Sequence, residues 1–315
     1  MTDNLPVPAG ENLAELRKTA AEFLQAGRAQ NTVIAYRSDW ADFERWCQSQ
    51  NLTALPAEPQ TIALYLASLP RRGLKASTIK RRRAAIKWAH RHLDTVNPVS
   101  HPGVAQVLDG IGRTLGTAPN KKTAITVAVL EKVLRKIPDD LAGLRDRALL
   151  LVGFAAALRR SEIVALNVAD VTRHPKGLVL RIRKSKTDQA GEGMIKAIPH
   201  GKRLKVIVAL DAWMKAAKIT SGPLFRSARG FTIGTERLRD QQVARMIKSR
   251  MRKAGLDSRS FSGHSLRSGF ITSAAEAGAS LQSIADVAGH AKLDTTRGYM
   301  QVADAFADHA GRKFL

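Results

Sequence analysis

A break in the helical pattern divides this 315-residue chain in two. Residues 113–125 read RTLGTAPNKKTAI, which combines Gly, Pro, Asn and two lysines with little apolar periodicity. Such a segment is typical of a linker. The length of the chain also favours about two domains over one. We therefore predict a disordered tail at 1–11, a helical domain at 12–112, the linker at 113–125 and a second domain at 126–315.

The spacing of apolar residues predicts a mainly α fold with one small β element. In the first domain Val33, Trp40, Phe43 and Cys47 recur at the three-and-four spacing of one buried helix face. In the second domain apolar residues alternate over 178–183, and a second short run follows at 194–198, which predicts a hairpin with a long turn. The helices predicted for the second domain span residues 127–137, 144–158, 204–218, 235–254, 266–277 and 281–287.

The charge balance points to a polyanionic partner. Lysine and arginine number 51 against 27 acidic residues, a formal net charge of +24. A surface this basic attracts nucleic acid; a ribosome-associated protein and a binder of acidic membranes are the alternatives. Cys47 is the single cysteine, which excludes an intramolecular disulfide and a cysteine-based zinc site. Because no apolar run approaches the length of a membrane span, a cytoplasmic, nucleoid-associated location fits.

Two basic segments are candidates for DNA contact. Residues 71–91 hold nine lysines and arginines and no acid, and four of the nine recur along one side of a predicted helix. A cationic stripe without carboxylates is suited to lie along phosphates, although a solvated helix face is the alternative. The second segment, 237–253, is diluted by Asp240. The candidates are Lys80, Arg81, Arg83, Lys87 and Arg91 in the first segment and Arg245, Lys248 and Arg250 in the second.

One of the three tyrosines lies in a polar setting. Tyr36 and Tyr65 occupy inward helix positions, whereas Tyr299 lies within TTRGYMQ. A tyrosine hydroxyl, with a pKa of about 10, needs cationic neighbours or a base to act as a nucleophile. His264 and Arg267 are three residues apart and share a helix face, where they would form a phosphate site. Taken alone, this pair also fits an ordinary surface pair.

Four segments in order resemble the tyrosine recombinases, the lambda integrase family. Residues 261–269, FSGHSLRSG, resemble its His-x-x-Arg box, and the SGHS core is similar to Cre recombinase. Gly289-His290 precedes Tyr299 at the spacing of the family's closing segment. Residues 157–166, ALRRSEIVAL, resemble the Leu-Arg-x-Ser-Glu box, and residues 184–188, KSKTD, resemble the hairpin that carries the catalytic lysine.

The resemblance implies a role for each matched residue. Arg159 and Arg267 would clamp the scissile phosphate, with Arg160 as the alternative to Arg159. Glu162 would orient neighbouring catalytic groups. Lys186 would protonate the leaving 5′ oxygen, with Lys184 as its rival. His264 would take part in proton transfer, His290 would bond the phosphate where Cre-like enzymes have tryptophan, and Tyr299 would form a 3′-phosphotyrosine link.

The same resemblance implies the partners and the reaction. Residues 12–112 would be the core DNA-binding domain and 126–315 the catalytic domain. The substrate would be a double-stranded site with inverted repeats, held by a homotetramer on two sites and exchanged through a Holliday junction. The implied chemistry uses no cofactor, neither metal nor ATP. Residues 301–315 would pack on a neighbouring subunit or fold back on their own domain. A type IB topoisomerase, a telomere resolvase and a catalytically inactive DNA-binding protein are the alternatives.

Overall fold

The chain forms two compact units, Met1–Asn120 and Lys121–Leu315. The computed structural model describes residues 15–16, 19, 30–92, 96–116, 122–183, 193–290 and 293–300. No helix within those ranges is long and apolar enough to cross a membrane.

The first unit is helical, as its apolar spacing predicts. Phe43 and Cys47 are buried in a core with Ile62, Tyr65 and Leu66. Tyr65 is completely buried, whereas Tyr36 is half-buried with its ring 6.2 Å from that of Trp88. The helices are α1 (Gln30–Ser49), α2 (Pro59–Ser68), α3 (Ala76–Ala89) and α4 (Pro102–Leu115), with 3-10 turns at Pro70–Arg72, His90–His92 and Pro98–Ser100.

The second unit surrounds a larger apolar core with helices and two small sheets. Its longest described helix contributes a continuous buried run from Ala148 to Val152. The helices are α5 (Val127–Leu134), α6 (Leu141–Ala155), α7 (Arg160–Ala165), α8 (Val206–Ala216), α9 (Asp240–Lys253), α10 (Ser265–Glu276), α11 (Leu281–Ala288) and α12 (Leu293–Met300). The strands are β1 (Val171–His174), β2 (Gly177–Ile182), β3 (Met194–Pro199), β4 (Arg226–Arg229) and β5 (Thr232–Arg237).

The predicted hairpin is confirmed and belongs to a three-stranded antiparallel sheet. Strand β2 pairs with β1 on one side and with β3 on the other. Along β2 the side chains of Leu178, Leu180 and Ile182 are buried while Arg181 is exposed, as the alternation predicts. The turn between β2 and β3 falls in residues 184–192, outside the described residues.

Two sequence predictions in this unit were wrong at the level of single elements. The helix predicted at 235–254 begins at Asp240, because residues up to Arg237 form β5, paired with β4. Both strands are polar and mostly half-buried or exposed, so they carry no apolar alternation to mark them. The helix predicted at 144–158 ends at Ala155, and the chain turns through Ala157 (φ 49°) before the short helix α7. The fold class predicted, mainly α with a small sheet, is confirmed.

Candidate active site

A turn between α6 and α7 provides one wall of the site. Ala157 adopts a left-handed backbone conformation, which is uncommon for a residue with a Cβ. Its carbonyl accepts a hydrogen bond from Arg267 Nη1 at 3.0 Å. Arg267 lies in the first turn of α10 and is 1% exposed. The strained turn therefore holds a buried guanidinium from a helix more than a hundred residues later in the chain.

Glu162 fixes Arg159 at the start of α7. One carboxylate oxygen accepts from the Arg159 backbone N–H at 2.8 Å, and the other accepts from Arg159 Nη1 at 2.6 Å. The first bond satisfies a backbone donor at the helix N-terminus, and the second is charge-assisted. Glu162 is 3% exposed, so this carboxylate orients Arg159 from within the protein.

The side chain of the neighbouring Arg160 has contacts different from those of Arg159. Its guanidinium lies 3.8 Å from the carboxylate of Asp240, and its stem crosses Gly263. A Cβ at position 263 would lie 1.7 Å from Arg160 Cδ, so glycine is required for this packing. The two arginines of the 157–166 segment therefore have separate surroundings.

His264 stands at the N-terminus of α10, three residues before Arg267. Its backbone N–H donates to Ser262 Oγ at 3.2 Å. Burial lowers the pKa of the imidazole, and the charges of Arg267, Arg159 and Arg160 lower it further. His264 is accordingly mostly neutral near pH 7.

His290 enters the site from the turn after α11. Gly289 ends that helix with φ 64°, a conformation that favours glycine. Nδ1 of His290 lies 2.8 Å from Oγ1 of Thr296, a buried residue of α12. Burial, followed by the charges of Arg267, Arg159, His264 and Lys196, lowers the pKa of His290 to about 4. Sequence reasoning missed Thr296, because a threonine beside Thr295 and before Tyr299 carries no signal of its own.

Lys196 of β3 is a second residue that sequence reasoning missed. It is 5% exposed. Burial, followed by the charges of Arg267 and Arg159, lowers its pKa to about 8, with Glu162 acting in the opposite direction. The available signal was the position of a lysine on the inward side of a predicted strand.

The side chains of two candidate residues, Tyr299 and Lys186, lie outside the described part of the structure. Tyr299 lies in α12, next to the segment that bears His290, but its side chain is outside the described residues. Lys186 and its rival Lys184 lie in residues 184–192, also outside the described residues. Arg159, Glu162, His264, Arg267 and His290 are brought together from three separate parts of the second unit.

The chemistry of this arrangement favours an anion. The charges of Arg159 and Arg267 act on Lys196, and Glu162 is the carboxylate that opposes them. The same two arginines disfavour the protonated form of both histidines. A phosphate group would relieve this repulsion and accept hydrogen bonds in the planar geometry that guanidinium groups provide. Among the described residues, no three His, Cys, Asp or Glu side chains form a group that could hold a metal ion.

The candidate DNA-contacting residues of the first unit fall into two sets. Lys80 and Lys87 are exposed on α3, and Arg91 is exposed in the 3-10 turn after it. Arg81 donates to Asp39 at 2.5 Å, and Arg83 is half-buried and donates to the carbonyl of Val99 at 3.3 Å. Arg83 is therefore less accessible to a phosphate backbone than the lysines and Arg91, and Arg81, although exposed, is already paired with a carboxylate.

In the second unit one of the candidates was wrong. Arg245 and Lys248 are exposed on α9, in keeping with a contact surface. Arg250 is 7% exposed and forms an ion pair of 2.7 Å with Asp146, which also accepts from Arg145. Its guanidinium neutralises a buried carboxylate of α6, so Arg250 is a core residue.

Comparisons with known proteins cover both units. The profile of the phage integrase family matches residues 124–305, and that of the phage integrase N-terminal SAM-like domain matches residues 21–94. An integrase/recombinase XerD homolog of Selenomonas ruminantium is 36% identical over 311 residues, which cover 95% of this chain and 90% of the relative. The tyrosine recombinase XerD of Caulobacter vibrioides is 28% identical, over 91% of this chain and 90% of the relative.

Solved structures show the same fold. A lambda integrase fragment bound to a core site superposes with a TM-score of 0.63 at 19% identity, covering 90% of this chain and 93% of the other. The XerH recombinase bound to its palindromic substrate gives 0.59 at 18% identity, over 80% of this chain and 72% of the other. The family profile alone matches more than half of the residues, and it includes every segment in which the catalytic candidates lie. The chain therefore belongs to the phage integrase family, the tyrosine recombinases.

Proposed function

We propose that this protein cleaves and rejoins DNA at specific sites, with Tyr299 as nucleophile and a phosphate site formed by Arg159, Arg267, His264 and His290. The observation that carries the proposal is the convergence of those four side chains, with both arginines lowering the pKa of both histidines, beside the helix that contains Tyr299. Binding alone does not need a tyrosine at this position.

The chemical step follows from the arrangement. Tyr299 Oη attacks the phosphorus, the bond from phosphorus to the 5′ oxygen breaks, and a 3′-phosphotyrosine forms. Arg159 and Arg267 hold the non-bridging oxygens as charge builds on them. Lys186 supplies the proton that the leaving 5′ oxygen takes up. Because the covalent link retains the energy of the broken ester, the reverse attack by a 5′ hydroxyl rejoins the strand without ATP.

The two histidines fit this step as neutral groups. A pKa of about 4 keeps His290 uncharged at neutral pH, so its contribution is an imidazole N–H and not a cation. A hydrogen bond from Thr296 Oγ1 to Nδ1 leaves the Nε2 hydrogen for a phosphate oxygen. His264, whose pKa is also lowered, accepts the proton that Tyr299 loses.

The partner we propose is duplex DNA with inverted repeats, bound by a homotetramer on two sites and exchanged through a Holliday junction. The proposal is supported by relatives: a lambda integrase dimer is bound to a core site, and XerH is bound to a palindromic substrate. Residues 301–315 are proposed to pack on a neighbouring subunit, and the site of action is the cytoplasmic nucleoid. Exposed Lys80, Lys87, Arg91, Arg245 and Lys248 would contact phosphates.

A suicide substrate tests the nucleophile directly. The duplex is the one that the protein selects from a randomised library, nicked beside the cleavage point so that the released fragment diffuses away. Wild type is expected to give a covalent protein–DNA band on a denaturing gel, and Tyr299→Phe none, while both bind the duplex equally. An adduct in both would assign the wrong tyrosine, and an adduct in neither would leave a DNA-binding protein. Strand exchange between two sites, as opposed to relaxation of supercoils alone, excludes a topoisomerase.

A further inference from the structure

Strand β3 carries a lysine on its inward face and an isoleucine on its outward face. Met194, Lys196 and Ile198 point inward, whereas Ile195 is 74% exposed on the outer face. The observed register buries Ile198 and half-buries Met194 but places Lys196 between them, although lysine is among the residues least often buried. A local conflict of this kind is expected where a residue serves a site and not the core.

The ammonium of Lys196 contacts the segment that carries His290. Lys196 Nζ donates a hydrogen bond to the carbonyl of Val287, in the last turn of α11. Two residues later, a Cβ at Gly289 would stand 2.7 Å from Met194 Cε and 3.9 Å from Lys196 Nζ. The turn that delivers His290 is therefore packed directly against β3.

That turn is in contact with the helix of the nucleophile. His290 follows Gly289, and its imidazole meets Thr296 of α12, the helix that contains Tyr299. At its other end β3 follows residues 184–192, which include Lys186, and it pairs with β2 up to Met194 opposite Ile182. Lys196 thus links strand β3 to the turn that contacts the helix of the proposed nucleophile.

The groups around Lys196 belong to the proposed phosphate site. Arg267 of α10 and Arg159 and Glu162 at the start of α7 act on its charge, and Lys196 in turn acts on His290. With two arginines opposing one carboxylate, the ammonium is held at a position where a bound phosphate would stabilise it.

We propose that Lys196 is a positioning residue for strand cleavage: its ammonium holds the Val287–His290 turn against β3 and so orients His290 and, through Thr296, the helix of Tyr299. The inference rests on the proposed function and adds a residue to it. Lys196 acts through the Val287 carbonyl and the His290 segment, and it is not assigned a contact with the substrate.

The test compares Lys196→Met, which keeps the length of the side chain without its charge, with Lys196→Arg, which keeps the charge. Arg181→Met is the matched control, because Arg181 pairs opposite Ile195 and points outward from the same sheet. Lys196→Met is expected to bind the selected duplex within about threefold of wild type and to lower single-turnover cleavage of the suicide substrate by roughly 10- to 100-fold, by analogy with residues that orient metal ligands. Its melting temperature is expected to stay level or rise, since a buried charge is replaced by an apolar chain of similar volume.

The pH dependence of cleavage distinguishes a role of the Lys196 charge from a role of its side chain in packing alone. The folded pKa of Lys196, about 8, lies below the usual value, so the charged form is present below pH 8 and is lost as pH rises through it. Cleavage at subsaturating protein, which reports the free enzyme, is expected to fall above pH 8 in wild type and Arg181→Met. Lys196→Arg stays charged and is expected to recover much of the rate and to lose that decline.

Two results would overturn the positioning role while leaving the proposed function intact. One is wild-type cleavage by Lys196→Met at every pH. The other is a loss of cleavage that parallels a loss of melting temperature, with no recovery and no altered pH profile in Lys196→Arg. If wild type itself forms no adduct on a duplex that it binds, the proposed function fails first and the role of Lys196 fails with it.

Discussion

Two clusters of arginines, one in each unit, use similar side chains for opposite purposes. In the first unit, one group of arginines is paired with carboxylates: Arg72 bonds both oxygens of Asp42, at 2.7 and 2.9 Å, Arg81 bonds Asp39 at 2.5 Å, and Arg82 pairs with Asp42. We call this group the paired cluster; it consists of Asp39, Asp42, Tyr65, Arg72, Arg81 and Arg82. The group in the second unit we call the cationic cluster; it consists of Arg159, Glu162, Lys196, His264, Arg267 and His290.

The pKa shifts show the difference in charge balance. In the paired cluster the Arg72 guanidinium holds the pKa of Asp42 well below its usual range, and Asp42 raises that of Arg72. Asp39 is the exception, because its burial outweighs the effects of Arg81 and Arg82 and raises its pKa. In the cationic cluster burial and neighbouring arginines lower the pKa of Lys196, His264 and His290. The ion pairs of the paired cluster join helices, whereas the excess positive charge of the cationic cluster favours the binding of an anion.

The largest expected effect comes from the cationic cluster. Arg267→Gln is expected to reduce single-turnover cleavage of the suicide substrate by roughly 10²–10³, the loss typical of one transition-state donor. Its free energy of unfolding should change by less than about 1 kcal/mol, because loss of the bond to Ala157 is offset by relief of repulsion. Adduct formation and urea denaturation measure the two quantities. A large loss of stability would mean that the guanidinium is structural, and the contrast between the clusters would fail.

The paired cluster predicts the reverse result. Asp42→Asn leaves Arg72 and Arg82 beside a neutral amide, and the free energy of unfolding is expected to fall by about 2 kcal/mol, below the cost for a fully buried pair. Cleavage per folded molecule should not change. The control is Asp211→Asn, whose ion pair with Arg173 is about half exposed on both sides and should contribute less than about 1 kcal/mol. Equal losses of unfolding free energy in the two variants would show that the ion pairs of the paired cluster stabilise the protein no more than an exposed ion pair does.

The sequence predicted what depends on periodicity and on motif order. The helix spanning Val33 to Cys47 and the strand from Leu178 to Ile182 have strong apolar patterns, and both were found as predicted. The five candidates Arg159, Glu162, His264, Arg267 and His290 lie in short motifs, and the fold brings them together. Their roles stay predictions, as do those of Lys186 and Tyr299.

The sequence could not reveal which charges are already satisfied. Arg250 belongs to a basic run, but Asp146, more than a hundred residues earlier, takes up its charge in the core. Arg81 lies in a basic segment without nearby acids in sequence, but Asp39 of α1 forms an ion pair with it. Lys196 and Thr296 acquire their significance from contacts with the His290 turn. Each of these facts depends on long-range pairing, which local sequence patterns do not encode.

The smallest expected effect separates two residues of one helix, Lys87 and Arg81. Lys87→Gln should make the slope of log affinity against log salt shallower by about 0.9, the value for one lost phosphate contact on duplex DNA. Arg81→Gln should alter the slope less, because its guanidinium is engaged by Asp39 and is 42% exposed. Both are measured as binding of the selected duplex between about 50 and 200 mM salt, on a Tyr299→Phe background that prevents cleavage. If both variants reduce the slope equally, an arginine that is paired with a carboxylate also contributes to DNA binding. Charge pairing would then not distinguish a structural cluster from a phosphate-binding surface.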